Sequence, residues 1–175
     1  MKRIFVLIQI LTLISMSLSS QENTIVSKDG KLKVTVSNAN GSPAYSVIYN
    51  GKVFLEKSPL GLKTNAGDFT TEMEMSPEFI TSEINESYEL PNIKKSKVQY
   101  QATEGITTFS KKGRKSFDVV FRVSNNDIAF KYKVYPQGQT LSCVVEKEAT
   151  GFVFPVGTTT FLCPQSKPMS GFART

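Results

Sequence analysis

The chain contains no histidine among its 175 residues, so any acid–base chemistry falls to carboxylates. Two pairs of glutamates have an i, i+2 spacing: Glu72 and Glu74 in "DFTTEMEM", and Glu146 and Glu148 in "VVEKEAT". On a strand, such residues share one face about 6.5–7 Å apart. Glycoside hydrolysis needs two carboxyls about 5–5.5 Å apart for retention of configuration, or about 6.5–9.5 Å for inversion. The spacing meets that condition, with Phe69, Met73 and Met75 opposite the first pair. Any strand with two glutamates on its wet side meets it equally well, so neither pair is assigned a catalytic role. Asn125, Asn126 and Asp127 offer oxygens of the kind calcium takes. Their position between two apolar runs is that of a tight turn, and no metal ligand is assigned.

The remaining chemistry is thin. Without histidine there is no Ser-His-Asp triad, no Cys-His pair and no imidazole metal site. Two cysteines cannot complete a structural zinc site, and neither a phosphate-binding loop nor a dinucleotide fingerprint is present. No Trp offers a sugar-stacking platform, although 6 Tyr and 12 Phe are available. Cys143 and Cys163 lie on neighbouring strand candidates. They form a disulfide if their Cα atoms fall roughly 4.4–6.8 Å apart, and are otherwise small buried hydrophobes.

The elements that would position these groups follow a period of two. Leu32, Val34 and Val36 alternate with Lys31, Lys33 and Thr35; Phe117, Val119, Phe121 and Val123 alternate with Asp118 and Arg122; Ile128, Phe130, Tyr132 and Val134 alternate with Lys131 and Lys133. That pattern predicts half-buried antiparallel strands. Turn signals separate them at 38–43, 50–51, 111–115, 124–127 and 136–139. Asn50-Gly51 is the strongest, since a type I′ hairpin needs positive φ at both central residues. No window gives a convincing amphipathic helix. The expected fold is one all-β unit, an antiparallel sandwich or barrel.

The first residues stand apart. "MKRIFVLIQILTLISMSLSSQ" has Lys2 and Arg3, an apolar run from Ile4 to Ile14, and then small residues. This is the grammar of a secretory signal peptide, with cleavage after Ser19 or Ser20. The run is short of the roughly 20 apolar residues that cross a bilayer. The expected mature protein is exported, periplasmic or extracellular, where disulfides persist. Its charge is uneven. Seven acids and no base lie between Thr64 and Asn92, whereas bases dominate from Lys94 to Lys133. Those bases sit in turns or alternate with apolar residues, as on a solvated sheet face, so nucleic acid is not an expected partner.

Several stretches together carry a resemblance. "SKDGKLKVTVSNANGSPAYSVIYNGKVFLEKSPLGLKTNAGDF", "FRVSNNDIAFKYKV" and "ATGFVFPVGTTTFLCPQ" resemble, in order and spacing, the N-terminal domain of glycoside hydrolase family 97. The similarity runs from about Val26 to the end of the chain, and "SNND" departs from the family's usual N-D-G turn. The resemblance implies an incomplete β-sandwich of the galactose-mutarotase-like type over residues 20–175. In the whole enzyme that domain packs on a catalytic (β/α)₈ barrel. The family's members are secreted, calcium-dependent α-glucosidases and α-galactosidases, typically of Bacteroidetes, acting on α-linked oligosaccharides. No position here matches one of their catalytic or calcium-binding residues. By this resemblance no cofactor belongs to this chain, and calcium is expected only in the full-length enzyme.

Two expectations follow. The chain is a non-catalytic piece supporting the barrel and carbohydrate site of such an enzyme; the alternative is a free-standing exported carbohydrate-binding sandwich. As a partial sandwich it should be marginally stable or self-associating, with the Phe117–Val123 row in want of an opposing sheet.

Overall fold

In the computed structural model, the structure describes residues 21–91, 94, 96–139 and 142–160. The expected signal segment and Cys163 lie outside the described residues. Eleven strands and no helix are found among those described. Three consecutive hairpins build the first sheet, in the order β1-β2-β3-β4: β1 (Glu22–Val26), β2 (Leu32–Ala39), β3 (Ser42–Tyr49) and β4 (Lys52–Pro59). The second sheet has the order β10-β9-β8-β7, from β7 (Glu74–Glu89), β8 (Lys97–Lys111), β9 (Arg114–Ser124) and β10 (Ile128–Val134). A small third sheet joins β5 (Leu62–Thr64), β6 (Gly67–Asp68) and β11 (Val145–Glu148).

Local chemistry explains the hairpins. Asn50 and Gly51 have φ of 52° and 76°, the left-handed pair a type I′ turn requires. Asn40-Gly41 (53° and 74°) and Lys112-Gly113 (52° and 72°) repeat it. The turn signals at 38–43 and 111–115 thus contract to two central residues each, and the flanking residues, Pro43 included, belong to strands.

The core lies between the two four-stranded sheets. Val34, Val36, Tyr45 and Val47 face Phe109, Phe117, Phe121 and Val123. The Phe117, Val119, Phe121, Val123 row is fully buried, each at 0% exposure. The opposing sheet that this row needs is the first sheet, which covers it. One buried polar contact ties the layers, Asn23 Nδ2 donating to Thr107 Oγ1 at 3.0 Å. Gly105 of β8 lies under Ile25 so closely that a Cβ there would stand 2.3 Å from Ile25 Cγ1. The inter-sheet distance is set at that crossing.

β7 and β8 are the longest strands, and they outrun the sandwich. β9 pairs with β8 only from Ala102 onward, leaving the Asn85–Glu89 and Lys97–Gln101 ends as a two-stranded ribbon. On the outer face of that sheet Arg122 Nε donates to Glu104 Oε2 at 2.7 Å, and its Nη1 pairs with Glu86 at 3.4 Å. Part of the acidic half of the sequence is so neutralised by the basic half.

Candidate functional site

An exposed apolar surface lies where β4 and β10 leave the sandwich open. A groove of about 420 Å³ runs between β3–β4 and the β9–β10 end. Its floor is Tyr45, whose ring meets Phe121, Phe130 and Phe152 at centroid distances of 5.5, 6.0 and 6.5 Å. Phe54 and Phe154 meet edge to face at 6.3 Å on its rim. Tyr49, Val53, Phe54, Phe152, Phe154 and Val156 are all exposed, Val156 completely.

A strap of backbone holds these phenyl groups. Gly151 N donates to Pro59 O at 3.1 Å, Val153 N to Ser58 Oγ at 3.0 Å, and Glu56 N to Val153 O at 2.8 Å. The Tyr45 hydroxyl donates to Gly151 O at 3.1 Å, and the Tyr132 hydroxyl lies 2.7 Å from Thr150 Oγ1. Burial pushes the Tyr45 hydroxyl up to about 12, with Tyr132 nearby adding to the effect. Burial likewise raises Tyr132. Both hydroxyls therefore stay protonated and serve as structural groups, not bases.

The residues singled out from sequence are scattered. Glu72 and Glu74 do not share a strand: Glu72 has φ of 57° in a bend, and β7 begins at Glu74. The cause is the Asn40-Gly41 turn, packed against this backbone. Met73 N donates to Gly41 O at 2.9 Å, and Asn38 Nδ2 donates to Met73 O at 2.7 Å. Glu72 pairs instead with Lys111 Nζ at 3.3 Å. That ammonium also donates to Asp68 O at 2.8 Å and Thr71 O at 3.0 Å. Glu146 and Glu148 lie exposed on β11, whose pairing with β5 is broken by a bulge. Neither pair faces a cleft.

At the polar end of the groove, Asn125, Asn126 and Asp127 form the expected turn. Ser124 Oγ accepts from Asn126 N at 3.2 Å and Asp127 N at 3.0 Å, while Asn125 Oδ1 accepts from Asp29 N at 3.1 Å. No three Asp, Glu, His or Cys side chains converge among the described residues. Cys143 lies in the stretch before β11, and its pairing with Cys163 falls outside the described residues.

The groove was not anticipated from the sequence. Its signal was present in "VFLE" and "GFVFP", where apolar residues stand next to each other and so occupy both faces of their segments.

The sequence model of the glycosyl-hydrolase 97 N-terminal domain matches residues 25–174. This chain belongs to that family. Among solved structures, a family-97 chain such as this one is similar to a β-arabinopyranosidase, with TM-score 0.79 and 45% identity over 87% of this chain and 24% of the other. The family 97 enzyme of Pseudoalteromonas sp. strain K8, solved with panose, shares the fold at TM-score 0.69 and 24% identity, over 75% of this chain and 20% of its own. A probable retaining α-galactosidase of Streptomyces bingchenggensis is 30% identical over 122 residues, 70% of this chain and 18% of that protein. The chain thus spans a quarter or less of the length of each.

Proposed function

We propose that this family 97 N-terminal domain is a non-catalytic support, which buries its groove and aromatic rim against the catalytic barrel of a secreted glycoside hydrolase. The observation that carries the reading is the exposed strip of Phe54, Phe152, Phe154 and Val156. An apolar patch of this kind on a sandwich marks an interaction surface. The scattered carboxylates support a non-catalytic role. The charged, apolar and small-residue order of the first 20 residues supports export. In this reading the barrel supplies the general acid and its partner carboxylate, and hydrolyses pyranosides of the kind named for the relatives. Calcium is held by residues other than those described here.

The test is reconstitution. The chain alone, assayed on p-nitrophenyl α-galactoside, α-glucoside and β-arabinopyranoside, should give no turnover. A family 97 barrel supplied as a separate polypeptide should bind it, and Phe54→Asp with Phe154→Asp should weaken that binding. Turnover by the chain alone would overturn the reading. Saturable binding of maltooligosaccharides without any barrel would replace it with a free-standing carbohydrate-binding sandwich.

A further inference from the structure

Two hairpin turns carry the same dipeptide and differ in what surrounds it. Asn40-Gly41 joins β2 to β3 and Asn50-Gly51 joins β3 to β4, each with positive φ at both residues. Asparagine followed by glycine is a reactive pair, because glycine has no side chain to keep its peptide nitrogen away from the asparagine Cγ. At the first turn, a later stretch of backbone is packed on the glycine. A Cβ at Gly41 would stand 3.1 Å from Glu72 Cα and 3.2 Å from Met73 N, and Gly41 O accepts from Met73 N at 2.9 Å. Asn38 Nδ2 closes this clamp by donating to Met73 O at 2.7 Å. At the second turn Asn50 and Gly51 are both exposed, and a Cβ on Gly51 would meet nothing within 4 Å.

We propose that Asn50 is a site of spontaneous deamidation, and that the clamp on Gly41 protects Asn40 from the same reaction. The site is independent of the role proposed above. The Gly51 nitrogen gives up its proton and bonds to Asn50 Cγ. The Cγ–Nδ2 bond breaks, ammonia leaves with that proton, and a cyclic succinimide remains. Water then opens the ring at one carbonyl or the other, giving aspartate, or isoaspartate with its main chain routed through the side-chain carbons. Attack requires rotation about the Cα–C bond of the asparagine, which swings the next peptide out of the hairpin. For Asn50 that rotation leaves its own N–H on Lys31 O, 2.9 Å away, and disturbs the end of the β3–β4 ladder, where Tyr49 faces Lys52. For Asn40 it must also break the bond from Met73 and lift Gly41 off the backbone of Glu72 and Met73. Reaction proceeds through such local openings, so the turn that opens at lower free energy reacts faster. The product matters for the neighbouring groove. Isoaspartate places a new carboxylate and an extra main-chain carbon at the start of β4, beside exposed Val53 and Phe54.

The experiment is incubation of the folded chain at mildly alkaline pH, with timed samples digested by trypsin and read by mass spectrometry. Cleavage after Lys33 and Lys52 leaves both asparagines in one peptide, so fragmentation assigns the product to one or the other. Labelling by an isoaspartyl methyltransferase reports the isoaspartate. Asn50 should convert roughly tenfold faster than Asn40, the factor expected from the two hydrogen bonds of the clamp. In concentrated urea the two rates should converge, since both asparagines then precede glycine in an open chain. Asn38→Ala, with its fold verified by circular dichroism, should narrow the gap by speeding Asn40 alone. Equal rates in the folded chain overturn the proposal, as does an Asn50 that stays intact while the urea control reacts. A gap of the same size in urea also overturns it, and assigns the difference to Ala39 and Tyr49, which precede the two asparagines. A gap unchanged in the Asn38→Ala variant counts against the clamp as its cause.

Discussion

Gly105→Ala tests the packing between the sheets at the crossing of β1 and β8. Gly105 does not occupy the left-handed region of φ, so the backbone itself would accept alanine. In an ordinary strand that replacement stabilises by roughly 0.5–1 kcal/mol, because glycine loses more freedom on folding. Here the new methyl would stand 2.3 Å from Ile25 Cγ1, 3.0 Å from its Cδ1 and 3.2 Å from Phe79 Cε2. Ile25 is only 1% exposed and belongs to the packed core. Overpacking of this kind destabilises by roughly 1–3 kcal/mol, so the net loss should be about 1–2 kcal/mol. Ile25→Ala alone should lose roughly 2–5 kcal/mol through the cavity it leaves. In the double variant the alanine methyl at 105 fills part of that cavity, and the two changes should cost about 1–2 kcal/mol less than their sum. Urea unfolding followed by far-ultraviolet dichroism measures all three. With m near 1–3 kcal/mol per M, the single glycine replacement should lower the midpoint by roughly 0.5–1 M. A stabilised Gly105→Ala variant together with an additive cycle would refute the argument, since the sheets would then have room for a methyl group between them.

Other substitutions probe the strap and the loops. Tyr45→Phe removes the hydroxyl that holds Gly151, and should lose roughly 0.5–1.5 kcal/mol with faster amide exchange at Gly151 and Val153. Lys111→Met strips a largely buried ammonium from Asp68 O, Thr71 O and Glu72, and should lower the melting temperature through a loss of roughly 1–3 kcal/mol. At high pH, Tyr45 has a folded value of about 12 against an ordinary 10.0, so its neutral form is favoured by folding. That contribution, roughly 2–3 kcal/mol, is intact below pH 10 and is lost as pH rises from there through 12, which denaturant titration in alkaline buffers will measure. At low pH the order reverses for Asp68, held well below the usual carboxylate range first by Lys63 and then by Thr70. Its contribution is present above the ordinary value near 4 and fades as pH falls below it. Asp68→Asn should therefore flatten the acid limb of the stability profile.

Much of the sandwich was legible in the sequence because one face of its strands is uniformly apolar. Leu32-Val34-Val36 alternate with Lys33 and Thr35, and Phe117-Val119-Phe121-Val123 with Asp118, Val120 and Arg122; all seven apolar side chains are buried, and in β9 Asp118 and Val120 of the other face are buried as well. The Asn-Gly turns were legible for a second reason: few residues other than Asn and Gly accept positive φ at two successive positions. β7 and β8 were harder to read, although they are the longest strands. "EFITSEINESYE" mixes Ile and Tyr with acids on one face, since the ribbon past Ala102 has no opposing sheet to demand apolar residues. The carboxylate pair at 72 and 74 failed for a tertiary reason: the distant Asn40-Gly41 turn captures the Met73 peptide and bends the chain. The groove depends on the approach of β4, β10 and the 151–156 strap, which are distant in sequence, so the adjacent apolar residues of each segment mark it as exposed without showing which partner it meets.

The order of strands also has a consequence in time. Each large sheet is a meander in which every strand pairs with its immediate predecessor, over residues 22–59 for the first and 74–134 for the second. As the chain emerges from a ribosome or a translocation pore, the first sheet can zip up, hairpin by hairpin, before the second has appeared. Short loops close at little entropic expense, so neither sheet waits for a distant partner. The non-local events are the clasping of the two finished sheets around Phe109, Phe117 and Phe121, and the later docking of β11 on β5 and of the 151–153 strap on β4. Until the sheets clasp, the first exposes Val34, Val36 and Val47 as an uncovered hydrophobic face. The interval between the two meanders is thus the period in which a nascent chain most needs a chaperone, and its length is set by how fast residues 60–134 follow.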